Sequence, residues 1–191
     1  MITTLFPTSV YSIDNFLIDK IEGFKLCVER ILDLHPKNPG KFQAQIATTF
    51  WYNHQIQYEL ELAKLSQSII PHASEFANKL GYNRSDNLRI INMWANRVEK
   101  FDYHQQHNHH GALISGVYYL QTPETANIVF TAPDYDYDII TDTETEYNQH
   151  LAKFQCVPGR LIMFKGTARH GYDWHGSDTS KISIAFNIGR M

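Results

Sequence analysis

The chain has 191 residues, 43% of them hydrophobic and 19% charged, with a formal charge of -3. That is enough for one packed domain and short for two, and it excludes a disordered polyelectrolyte. The weak net acidity gives no strong signal for nucleic acid or an anionic membrane.

Cys27 and Cys156 are the two cysteines and form no CxxC pair. Their spacing argues against a disulfide framework or a thiolate zinc site and fits a reducing, cytoplasmic compartment. The opening stretch shows no basic segment followed by an apolar one, so no secretory signal is expected. No apolar run approaches the roughly 18 residues that a membrane span needs.

The first half reads as helical support. Ile13, Phe16, Leu17, Ile21, Phe24, Val28, Ile31 and Leu32 recur at helical steps and form one apolar face. Ser12 or Asp14 is the expected cap, and Pro36 to Gly40 the expected end. A second amphipathic segment runs from about Gln55 to Leu80. Pro71 is expected to kink or divide it, and Gly81 to stop it.

From Leu88 onward the pattern changes to short strand-like runs: Leu88 to Val98, Leu113 to Leu120, Ile128 to Thr131, Leu161 to Phe164 and Lys181 to Ile188. Helices followed by strands suggest an α+β or mainly β domain. The expected division is 1–86 as helical support and 87–191 as core, within a single domain. The stretch from Asp134 to Glu146 carries six carboxylates and no lysine or arginine. It reads as a surface loop able to act as a lid over a neutral or basic substrate.

Chemistry concentrates in one window, where His104, His107, His109 and His110 fall within seven residues. On an extended strand His107 and His109 point to the same side, so both imidazoles can reach one metal ion. A third ligand must come from elsewhere in the chain, and His170, after the strand-like run that ends at Phe164, is the obvious donor. Imidazole suits iron, copper, nickel or zinc, so ligand type alone leaves the metal open. Eleven residues after His170 stands Lys181, and Ser183 shares its face by alternation. A cation and a hydroxyl on one face can hold a carboxylate in a fixed orientation.

These segments resemble the 2-oxoglutarate- and iron(II)-dependent oxygenase superfamily. They are most similar to a branch of small members with a His-x-His motif and a following Ser-Gly-Val-Tyr-Tyr strand. Here these are His107-Asn108-His109 and Ser115-Gly116-Val117-Tyr118-Tyr119-Leu120, with a later block of Pro158 to Phe164, His170 and Lys181 to Asn187. The resemblance covers about 92–189 and implies a double-stranded β-helix, the cupin-type jelly roll, with N-terminal flanking helices. It implies iron(II) on His107, His109 and His170, chelated by 2-oxoglutarate, with dioxygen taking the remaining position. The far carboxylate of 2-oxoglutarate would rest on Lys181 and Ser183, helped by Tyr118 or Tyr119. Asn96, Arg97 and Asn187 are then candidates for supporting or substrate-facing roles. Oxidative decarboxylation to succinate would be coupled to oxidation, by hydroxylation, of an unidentified substrate.

The chain departs from the superfamily at two positions. Histidine 109 stands where an aspartate or glutamate is usual, leaving the metal one negative charge short. Lysine 181 stands where arginine is more common, keeping charge and losing the bidentate fork. His109-His110-Gly111 also permits a His-x-Gly reading, in which halide replaces the carboxylate. Two other classes fit the same histidines. One is a three-histidine cupin dioxygenase without 2-oxoglutarate. The other is a non-catalytic module with structural zinc, which needs a fourth ligand such as His104 or His110.

Overall fold

The computed structural model describes residues 8–34, 46–83, 87–133, 142–143, 145 and 148–190. Two helices, α1 (Ile21–Asp33) and α2 (Leu60–Lys79), precede most of the sheet. The strands are β1 (Val10–Ile13), β2 (Ala47–Thr48), β3 (Leu88–Val98), β4 (His104–His107) and β5 (Ile114–Gln121), followed by β6 (Asn127–Thr131), β7 (Leu151–Gln155), β8 (Leu161–Lys165), β9 (His170–Tyr172) and β10 (Lys181–Arg190). A six-stranded sheet in the order β1-β8-β5-β10-β3-β2 faces a four-stranded sheet in the order β4-β9-β6-β7. The result is the expected double-stranded β-helix of two antiparallel sheets with flanking helices.

Alternation along the strands builds two cores. Ile182, Ile184, Phe186 and Ile188 of β10, Met93 and Ala95 of β3 and Tyr118 of β5 point outward. There they meet Phe24, Val28 and Leu32 of α1 and Leu62, Leu65, Ile69, Ala73 and Phe76 of α2. Tyr119, Ile162 and Phe164 point inward, toward Ile128 and Phe130 of the small sheet. Phe186 lies across β5 so closely that a Cβ at Gly116 would overlap its ring. Only glycine fits there.

The first helix begins later than the apolar spacing predicts. Ile13 and Ser12 belong to β1, paired with Leu161 and Ile162 of β8, and α1 starts at Ile21 after a short 3₁₀ turn, Ile18–Lys20. Neither Ser12 nor Asp14 caps it: Asp14 instead pairs with Arg160 at 2.5 Å. Apolar residues at 13, 16 and 17 suit a strand edge as well as a helix face, and an open edge on β8 selects the strand. The expected terminator at Pro36 to Gly40 lies outside the described residues.

Pro71 does not divide the second helix. Ile69, Ala73, Phe76 and Ala77 are all buried on both sides of it, so packing holds the turn whose hydrogen bond proline removes. Gly81 has φ +74°, the left-handed conformation of a helix stop. The five expected strands are all present. β1, β2, β4, β7 and β9 are additional, and all are five residues or shorter. No described helix is long and apolar enough to cross a membrane. Apart from Asp142, Thr143 and Thr145, the acidic stretch from Asp134 to Glu146 lies outside the described residues.

Candidate metal and cosubstrate site

The small sheet brings the histidines together. His107 ends β4 and stands opposite His170, the first residue of β9, with ring centroids 4.5 Å apart. The two strands approach closely because Gly171 lacks a side chain: a Cβ there would lie 2.5 Å from the His104 carbonyl oxygen. His109 is not on the strand. It sits in the turn beyond β4, where its N–H donates to the Gly166 carbonyl at 2.8 Å. Gly166 itself fits only as glycine, because a Cβ there would overlap the Ala112 carbonyl. The shared side of His107 and His109 therefore arises from a pinned turn rather than from strand alternation.

Ligand atoms of His107, His109 and His170 all lie within 4.8 Å of one another. Nδ1 of His107 is 2.8 Å from the Gln105 carbonyl, and Nδ1 of His170 is 2.9 Å from the Ala168 carbonyl. A carbonyl only accepts, so both Nδ1 atoms carry the proton and both Nε2 atoms are bare. His170 Nε2 lies 3.3 Å from His109 Nε2. Two nitrogens each bound at about 2.1 Å to one ion are themselves about 3 Å apart, so the spacing suits a shared metal. Burial, aided by the neighbouring His107, lowers His170 to about 3 and His109 to about 4. Burial also lowers His107. All three rings are neutral at physiological pH, the state in which imidazole binds metal.

His110 is exposed and outside the cluster, and Gly111 is a left-handed turn residue. A structural zinc would need four protein ligands, and the described residues bring three together. His175 is buried elsewhere, against the Val98 carbonyl.

The cation lies in the same pocket. Lys181 is only 2% exposed and, among the described residues, has no carboxylate partner. Burial pushes its ammonium down to about 8, and its Nζ rests 3.1 Å from the centroid of the Tyr172 ring. Ser183 is beside it on the inner face of β10, together with Asn96 of β3 and Tyr119 of β5. Tyr119 is the inward tyrosine, its phenol raised well above its ordinary value by burial and engaged with the Cys156 thiol. Tyr118 is not a pocket residue. It points toward the helices and donates to the Phe16 carbonyl at 2.7 Å.

Arg97 also lies away from the pocket, pairing with Asp33 at 2.9 Å and Glu99 at 3.3 Å. Asn187 accepts from Ser115 at 2.6 Å and is a buried structural partner of β5. Trp94, whose ring is 5.6 Å from that of His109, and Tyr172 were not singled out from the sequence, although each is two residues from a candidate and so on its face. His104 is outside the three-histidine cluster, but its ring lines the pocket and lies 4.1 Å from that of His107.

Residues 92–187 match the family described as 2OG-Fe(II) oxygenase. The chain belongs to this family. Its members use iron(II), 2-oxoglutarate and dioxygen, and the bare, neutral nitrogens of the three histidines suit the metal. Among solved structures the chain is similar to HygX from Streptomyces hygroscopicus with nickel and 2-oxoglutarate bound, at TM-score 0.64 and 13% identity, over 96% of this chain and 84% of that one. A prolyl-4-hydroxylase from Pseudomonas putida gives TM-score 0.65 and 11% identity, over 94% and 92%. The non-heme α-ketoglutarate-dependent epimerase SnoN from nogalamycin biosynthesis gives 0.68 and 12%, over 96% and 79%. At these identities the likeness concerns the fold. No curated protein sequence matches the chain.

Proposed function

We propose that the chain is a hydroxylase-type dioxygenase, coupling decarboxylation of 2-oxoglutarate to hydroxylation of a separate substrate. His107, His109 and His170 hold the iron, and Lys181 and Ser183 hold the far carboxylate of 2-oxoglutarate. The whole chain acts as one domain, with 1–86 supporting the jelly-roll core of 87–191. One observation carries this reading: three convergent histidine nitrogens share a pocket with a buried cation that has no carboxylate partner among the described residues.

When bound, iron supplies activation of dioxygen, chemistry that no protein side chain provides. The protein's own groups position and exclude. The Gln105 and Ala168 carbonyls fix the tautomers and ring planes of His107 and His170, as outer hydrogen bonds do around metal ligands. Phe164, with its ring 4.4 Å from His170, and Ile128 make one wall apolar and restrict water. Lys181 supplies charge without a fork, and the Ser183 hydroxyl adds direction. Three neutral ligands leave the metal's positive charge uncompensated by protein, which favours binding of a dianionic cosubstrate.

The test is anaerobic incubation of purified protein with iron(II) and 2-oxoglutarate. A weak visible metal-to-ligand charge-transfer band is expected. Its absence in protein that retains iron would favour a three-histidine dioxygenase that uses no cosubstrate.

A further inference from the structure

His104 precedes His107 by three residues on the same strand, and in a regular strand such positions face opposite ways. The ladder between β4 and β9 is not regular. His104 pairs with Tyr172 and His107 with His170, so three steps on β4 match two on β9. This extra residue is a β-bulge, a feature that re-aims side chains next to sites. It turns both imidazoles into one pocket.

His104 then bridges the two halves of that pocket. Its ring is 4.1 Å from that of His107 and 5.3 Å from that of Tyr172, whose face holds the Lys181 ammonium. The side chains run in sequence from the histidine cluster to the buried cation. His107 and His170 each commit Nδ1 to a backbone carbonyl, whereas the ring nitrogens of His104 have no protein hydrogen-bond partner among the described residues. A ring that lines a pocket with its donor uncommitted is placed to serve what enters.

We propose that His104 is a cosubstrate-binding residue, donating its ring N–H to a carboxylate oxygen of 2-oxoglutarate between the histidine cluster and Lys181. This rests on the assignment of that pocket to 2-oxoglutarate. A neutral imidazole has one N–H to give, and a hydrogen bond to a charged acceptor is among the stronger kind.

The competing role is structural, with the His104 ring merely buttressing His107. His104→Phe separates the two, because it keeps a stacking ring and removes the donor, while His104→Gln keeps a donor and removes the ring. Manganese(II)-loaded proteins are titrated with 2-oxoglutarate by calorimetry, and manganese affinity is measured separately. In His104→Phe the Kd for 2-oxoglutarate should rise by about tenfold to a hundredfold with manganese affinity unchanged. His104→Gln should retain more of the 2-oxoglutarate affinity than His104→Phe. Unchanged 2-oxoglutarate affinity in His104→Phe overturns the assignment, as does loss of manganese affinity in both variants. Wild-type protein that binds manganese and takes up no 2-oxoglutarate would instead overturn the function proposed above.

Discussion

The Lys181 ammonium rests 3.1 Å from the centroid of the Tyr172 ring, in the pocket that the three histidines also line. A π-face is a partial counter-group, weaker than a carboxylate, and leaves the charge ready to pair with an incoming anion. Lys181→Ala should therefore weaken 2-oxoglutarate binding by more than about a hundredfold, since a buried carboxylate without its cation costs about 3 kcal/mol or more. Iron content should be intact, and Lys181→Arg should be milder. Normal cosubstrate affinity in the alanine variant, measured by titration of the charge-transfer band, would remove Lys181 as the anchor.

Single alanine variants of His107, His109 and His170 should each lose bound iron, read by elemental analysis of protein purified and reloaded anaerobically. A shell partner costs about 10–100-fold in metal affinity, and a ligand should cost at least as much. His110→Ala, His150→Ala and His175→Ala should keep their iron. Loss of iron in His110→Ala with retention in His109→Ala would show that the assigned register is wrong.

Gly171→Ala tests the close approach of β4 and β9. The added methyl would meet the His104 carbonyl and push apart the ladder that seats His107 opposite His170. Overpacking of this kind costs about 1–3 kcal/mol. The variant should lose stability in denaturant titration and bind metal more weakly. Wild-type metal affinity in the variant would show that the cluster does not depend on this spacing.

The metal-free protein should lose stability as pH falls below about 6.5, the ordinary histidine value that the unfolded chain keeps. Burial, the leading cause in each case, lowers folded His109 to about 4, His170 to about 3 and His104 to about 2, and lowers His107 as well. Between pH 6.5 and about 4 the unfolded state takes up protons that the folded state refuses, so unfolding is favoured. The stability is fully present above pH 6.5 and declines across that window. Denaturant midpoints at pH 7.5, 6 and 5 would check it, and a flat profile would contradict it.

Much of this was legible in the sequence because it depends on local pattern. Alternation in β10 put Lys181 and Ser183 on one face opposite Ile182 and Ile184, and burial on both sides made β3, β5, β8 and β10 readable as strands. His107, His109 and His170 stood out because four of the ten histidines crowd into one seven-residue window and His170 follows a strand-like run. Tertiary structure alone decided the rest. Whether Tyr118 or Tyr119 faces the pocket depends on which side of β5 the helices cover, and Tyr118 is held there by the Phe16 carbonyl, 102 residues away. The place of His109 is set by Gly166, across a turn rather than along a strand. His104 faces inward only because one extra residue in β4 shifts the register against β9. A bulge leaves no mark in hydrophobic periodicity, since it is a mismatch between two strands and belongs to neither sequence alone.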